Sequence, residues 1–141
     1  MNAVDTNVLV YAHDPREPKK QVVAASLIES LTDAVLLWQV ACEYVSVSKK
    51  LEPFGYNRVQ AWQDIRDLRL VWAAALPNWE VTDRAEELMN QYPLAYWDAM
   101  IVAACLEAGV RRLYTEDFSG IRIDSLEIVN PFSGKPEASN A

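Results

Sequence analysis

Ala34-Val-Leu-Leu-Trp38 is an unbroken apolar run of strand length, with no polar residue to turn toward water. A strand that is apolar on both faces belongs inside a layered fold, covered above and below, as parallel strands are. The flanking segments fit that reading. Lys20–Leu31 places Val23, Leu27 and Leu31 at helical spacing. Val40–Lys50 returns to that spacing through Tyr44, Val47 and Leu51, and stops before Pro53. Toward the N-terminus, Asn2-Ala-Val-Asp5 reads as a short strand ending at an acid, and Thr6–Tyr11 as a helix or turn closed by Asp14-Pro15. Toward the C-terminus, Tyr56–Leu70 is helical through Val59, Trp62 and Ile65, and Val71–Ala75 is a weak strand. Pro77-Asn78 reads as a cap, and Val81, Ala85, Leu88 and Tyr92 mark a helix ended by Pro93. Tyr96–Ala108 is apolar nearly all round and is closed by Gly109. Arg111–Thr115 and Leu126–Val129 complete the set as a fourth and a fifth strand. Strands separated by helices predict an α/β fold, a three-layer α/β/α sandwich around a mainly parallel five-stranded sheet. Ligands of such sheets sit at the carboxyl ends of the strands.

The 141 residues suit one domain, expected over 1–132, with a low-complexity ending from Pro131 whose last residues, 133–141, are expected to be flexible. Thirteen Lys and Arg against 20 Asp and Glu leave a net charge of −7, which excludes a polyanion binder held by bulk charge. Two cysteines, Cys42 and Cys105, are too few for a disulfide scaffold; both lie in apolar helical runs and are expected to be buried free thiols. One histidine, His13, and two cysteines do not make a structural zinc site. There is no basic leader and no apolar stretch of membrane-spanning length, so a cytoplasmic protein with no membrane partner is expected. Four glycines and no glycine-rich loop speak against a nucleotide-binding sheet.

Four acids stand in unusual places. Asp5 ends the first strand, and Asp117 follows the fourth by two residues. Asp98 opens the most apolar helix, and Glu43 lies inside Val40-Ala-Cys-Glu-Tyr-Val45. Singly, each has an ordinary reading as a helix cap, a dipole partner, a turn residue or a solvated side chain. Jointly, they suggest carboxylates converging at the strand ends. Like charges 4 Å apart repel by about 4 kcal/mol at an effective dielectric of 20, and a hard divalent cation relieves this. Oxygen-only ligation suits Mg²⁺ or Mn²⁺, and carboxylate-held ions of this kind cut phosphodiesters by activating water.

At these segments the sequence resembles the PIN-domain family, and within it the VapC-type toxin ribonucleases. The matching stretches are Val4-Asp-Thr-Asn-Val-Leu-Val-Tyr-Ala12, Gln39-Val-Ala-Cys-Glu-Tyr-Val45, Tyr96-Trp-Asp-Ala-Met-Ile-Val-Ala-Ala-Cys105, Leu113-Tyr-Thr-Glu-Asp-Phe118 and the ending Val129-Asn-Pro-Phe132. The resemblance implies a Mg²⁺- or Mn²⁺-dependent endoribonuclease that cleaves single-stranded RNA or RNA loops and leaves a 5′-phosphate and a 3′-hydroxyl. Asp5, Glu43, Asp98 and Asp117 would be its catalytic and metal-binding acids. Thr6, Asn7 and Thr115 fall on the family's supporting polar positions, Thr115 on the hydroxyl that orients a carboxylate. The resemblance also implies a homodimer neutralised by a small antitoxin protein. Many relatives carry a further acid soon after the fourth; here Ser119-Gly120 follow, and the next acid is Asp124, which argues against a fully occupied second metal site. Glu116 is an alternative to Asp117, but the Thr-x-Asp spacing favours Asp117.

Lys49-Lys50 and the cluster Arg16, Lys19 and Lys20 are candidates for phosphate contacts, with helix-dipole pairing as the plainer reading of the former. The five tryptophans are expected in the core or between chains, and His13 in a loop. Two other functions compete. A phosphotransfer enzyme with Asp5 as nucleophile is disfavoured by Asn7, where Asp-x-Asp would be needed. A catalytically silent PIN-like module that binds RNA or protein is the other alternative.

Overall fold

The computed structural model describes residues 1–133, so the expected tail from residue 134 onward lies outside the described residues. The chain runs β1 (Asn2–Val4), α1 (Thr6–Tyr11), α2 (Pro18–Ser30), β2 (Val35–Leu37), α3 (Trp38–Val47), a 3₁₀ segment (Ser48–Phe54), α4 (Arg58–Val71), β3 (Ala73–Ala75), α5 (Trp79–Gln91), α6 (Tyr96–Glu107), β4 (Arg112–Tyr114), β5 (Ile121–Ile123) and β6 (Leu126–Val129). Strands β1, β4 and β6 pair in parallel, and β2 pairs in parallel with β3. A parallel bridge from Asn2 to Ala34 brings β2 beside β1, so the strands follow the order β3-β2-β1-β4-β6-β5. Helices α1 to α4 contact one another, while α5 pairs with α6, which lies against β2 and β6. This is the expected α/β/α arrangement around a mainly parallel sheet.

Among the described residues there are six strands, one more than the sequence pattern indicates: four in one sheet, β1-β4-β6-β5, and two in another, β2-β3, joined to it by the single Asn2–Ala34 bridge. The extra strand is β5, which folds back antiparallel on β6 through a two-residue turn at Asp124-Ser125. Asp124 takes φ +51° there, a left-handed conformation that a short polar side chain tolerates. Residues Ala34–Leu37 are buried throughout, as an inner strand requires. Leu113 and Ile128 on neighbouring strands are buried with them. Asn57 and Asn78 cap α4 and α5 by accepting from the N–H groups of Gln60 and Val81, which confirms the expected cap at Asn78. Gly109 closes α6 at φ +74°. The α-helix after β2 ends at Val47, before Pro53 as expected, and a 3₁₀ segment that contains Pro53 follows it and stops at Gly55.

Topology fixes where a site can form. Chain order steps outward from β1 to β2 and β3, then returns to the other side of β1 with β4. The reversal leaves a crevice past the carboxyl ends of β1 and β4. Val4 and Tyr114 are register partners, so Asp5 and Thr115 emerge side by side at that crevice.

Candidate functional site

Asp5 leaves β1 in an extended conformation and caps α1. Its Oδ1 accepts from the Thr6 N–H at 2.7 Å, and its Oδ2 accepts from the Thr115 hydroxyl at 2.9 Å. Asp5 is 4% exposed and Thr115 fully buried. Burial is the main force on the Asp5 carboxyl and raises it; the two hydrogen bonds oppose it, and the charges of Asp117 and Glu43 add to it. The result is a pKa pushed up to about 6. Asn7, one turn into α1, donates from Nδ2 to Thr115 Oγ1 and to Asp117 Oδ2, both at 3.2 Å. The Asp117 N–H also donates to the Thr115 hydroxyl, at 3.2 Å. Thr115 therefore sits at the junction of Asp5, Asn7 and Asp117.

Glu43 comes from α3, which starts directly after β2. One of its oxygens accepts from the Thr6 hydroxyl at 2.8 Å and the other from Gln39 Nε2 at 2.9 Å. Asp98 stands in the first turn of α6. Burial raises its pKa, and Asp117 and Glu43 raise it further. All four acids line one cleft of about 310 Å³, together with Thr6, Asn7, Tyr11, Lys50, Trp97 and Glu116.

The donors fit a hard dication. They are oxygens, they carry mutually repelling charge, and beside them Asn7 Oδ1 is buried with no hydrogen-bond partner among the described residues. No three His, Cys, Asp or Glu side chains among the described residues form a ready-made metal cluster. Drawing the four acids into closer contact requires a cation to offset their repulsion.

A model of the PIN domain matches residues 3–125. The chain belongs to the PIN-domain family. Its fold is similar to that of a toxin–antitoxin complex from Klebsiella pneumoniae, with 21% identity and a TM-score of 0.66, covering 93% of this chain and 98% of that one. It is also similar to VapC20 of Mycobacterium tuberculosis, described as a sarcin-ricin loop cleaving toxin. There the identity is 18% and the TM-score 0.59, over 83% of this chain and 90% of that one. VapBC2 of Rickettsia felis, bound to a DNA fragment from its promoter, is similar at 18% identity and TM-score 0.62, over 92% and 97%. No curated protein matches the chain at a significant level.

Several contacts beside the acids in this PIN domain escape sequence reading. Tyr11 donates to Glu116 Oε1 at 2.5 Å, and Lys20 Nζ reaches Glu116 Oε2 at 2.9 Å. Lys20 also lies over the Tyr11 ring, 4.7 Å from its centroid. Burial would raise the Glu116 carboxyl, but these two donors outweigh it and hold the group below the ordinary range. Glu116 is thus committed to Tyr11 and Lys20, whereas Asp117 is tied to Asn7 and Thr115. Ser119 does not line the cleft. Of the basic candidates, Arg16 is bonded in bidentate fashion to the buried Asp14 at 2.9 and 3.0 Å, and Lys20 is taken by Glu116. Lys50 lines the cleft. Gln39 was readable only as part of the matching stretch around Glu43; its spacing of four residues on one helix is the signal for its bond to that acid.

One expectation is corrected: Cys42 is exposed, because it falls on the outer side of α3; Cys105 is buried as expected, and both are free thiols. Trp72 is in the core, and Trp38, Trp62, Trp79 and Trp97 are 48–82% exposed on the single chain. His13 lies in the turn after α1, as expected, and stacks there on Tyr56 at 4.5 Å with Asp64 3.3 Å from its Nε2. Among the described residues no helix is long and apolar enough to cross a membrane.

Proposed function

We propose that this PIN domain is a metal-dependent endoribonuclease, with Mg²⁺ or Mn²⁺ as the ion, and that it is the toxin of a toxin–antitoxin pair. The observation that carries the reading is the meeting of Asp5, Glu43, Asp98 and Asp117, from four separate segments, in one cleft past the strand ends. Likeness to a sarcin-ricin loop cleaving toxin and to toxin–antitoxin complexes supports it. The partners are an RNA substrate, a small antitoxin and a second copy of the chain. The cytoplasm, which keeps thiols such as Cys42 reduced, is the compartment.

Asp5, Glu43, Asp98 and Asp117 would hold the ion, which when bound supplies charge neutralisation at the scissile phosphate and activation of water. The chain's own contribution is positioning. Thr115 and the Thr6 N–H orient the two oxygens of Asp5. Thr6 and Gln39 fix the two oxygens of Glu43, and Asn7 ties Asp117 to Thr115. These bonds hold Asp5, Glu43 and Asp117 in place before substrate arrives, which lessens the reorganisation left for the reaction itself.

The test is cleavage of single-stranded RNA by purified protein. Cleavage should need Mg²⁺ or Mn²⁺, stop in chelator, and fall at least a hundredfold in Asp98→Asn. Undiminished cleavage by Asp98→Asn would assign the activity to another site or another protein. The ion should also raise the melting temperature, since binding to the folded state alone stabilises it.

A further inference from the structure

Trp97 stands between the acidic cleft and a second, apolar pocket. It follows Tyr96 and precedes Asp98 in the first turn of α6, and it lines both the cleft and the adjoining pocket of about 390 Å³. Trp38, at the start of α3, lines that pocket too, along with Gln39, Leu76, Asn78 and Met100. The two indoles are 60% and 52% exposed. Tyr96 packs edge-on against Trp97 at 4.8 Å, which steadies the ring. Gln39 joins the two spaces: its amide donates to Glu43 in the cleft and, at 3.4 Å, to the Trp97 carbonyl. The pocket is therefore one side chain away from the acids.

Charge indicates what should occupy it. Among the described residues lining the cleft, Lys50 alone is basic, and Lys20 nearby is held by Glu116. A chain of net charge −7 with so few free cations at its cleft cannot grip single-stranded RNA mainly by its phosphates. Stacking on aromatic faces is the other source of affinity for single strands, and it works for every base. Exposed indoles beside the acids supply such faces, and the Gln39 and Asn78 amides supply polar edges. Resting on the ribonuclease reading above, we infer that this pocket is a base-binding subsite, in which Trp97 and Trp38 receive a nucleobase of the RNA flanking the scissile phosphate.

The experiment measures binding of a labelled ten-nucleotide single-stranded RNA to the full chain carrying Asp98→Asn, in magnesium buffer, by fluorescence anisotropy. A matched oligonucleotide of abasic residues serves as the phosphate-only control. Adding Trp97→Ala should weaken binding of the RNA by about tenfold to a hundredfold. Trp97→Phe should restore most of it, and the abasic strand should bind both forms equally. Equal RNA binding by the Trp97→Ala form would overturn the subsite. So would an equal loss on the abasic strand, which would mean a structural or electrostatic role. A change in the oligomeric state of Trp97→Ala by light scattering would also overturn it, by assigning the indole to a contact between copies. The parent reading is checked separately by RNA cleavage with the unsubstituted chain. Cleavage with no effect of Trp97→Ala on binding rejects only the subsite; no cleavage in any divalent ion rejects both.

Discussion

Burial sets Asp5 against its own ionisation. Its carboxyl has a pKa near 3.8 in an unfolded chain and about 6 in the fold, so the folded state binds the extra proton between those values. The contribution of Asp5 to stability without metal is therefore greatest below about pH 4, falls as the pH rises toward 6, and stays reduced above it. Asp5→Asn removes the charge but keeps only one acceptor oxygen, so one of the bonds from Thr6 N–H and the Thr115 hydroxyl is lost. In chelator at pH 7 the relief of charge, at most about 3 kcal/mol for a two-unit shift, is offset in part by that lost bond, and the pH 4–6 slope of thermal melts should flatten. In Mg²⁺ or Mn²⁺ the same variant should lose the ion-induced rise in melting temperature. A pH 4–6 slope in chelator that is unchanged by Asp5→Asn would show that Asp5 is not under charge strain. Thr115→Val probes the other half of the pair. It keeps the shape but deletes the hydroxyl that serves Asp5, Asn7 and Asp117. On the proposed function, losing a partner that orients the Asp5 carboxylate should lower cleavage by about tenfold to a hundredfold. Melting in chelator should fall as well, since buried polar groups are left unpaired. An unaltered rate would remove Thr115 from the set of positioning residues.

At the scale of elements, stability and chemistry separate. Asn57 caps α4, well away from the acids, by accepting from Gln60 N–H at 2.9 Å. Asn57→Ala should cost about 1 kcal/mol, read as a drop of a few degrees in melting temperature, with RNA cleavage unchanged. A lost activity would mean that α4 couples to the cleft. The elements themselves were largely legible because most carry strong signals: an all-apolar strand, apolar residues at helical spacing, and stops at Pro93 and Gly109. β5 carried none. It is three residues long, two of them exposed, and its turn at Asp124-Ser125 lacks the glycine that usually marks a tight hairpin. The four acids were legible as a pattern because strand ends and apolar helix starts are poor places for lone charges. Thr6, Asn7 and Thr115 were legible through the family resemblance, but the bonds of Tyr11 and Lys20 to Glu116 were not, since each joins residues about a hundred apart in sequence. Helix α6 hid the side of Trp97 for a related reason: a helix apolar all round gives no phase from which to tell core from surface.

Across the whole molecule, charge bears on how the proposed RNA substrate would be held. Counterion release makes the logarithm of single-strand affinity fall with the logarithm of salt, with a slope of about −0.7 for each phosphate neutralised. Basic residues at the cleft are few: Lys50 lines it, Lys20 pairs with Glu116, and Arg16 pairs with Asp14. Engagement of one or two phosphates gives a slope no steeper than about −1.4, with Lys50→Ala shallower by about 0.7. The measurement is a salt titration of RNA binding by the Asp98→Asn form at fixed Mg²⁺. In chelator, where the acids keep their full charge and the chain carries a net −7, binding should weaken to the limit of detection. A slope steeper than about −3, or tight binding in chelator, would mean that a basic surface away from the cleft takes the phosphates, and that the acids do not control access to RNA.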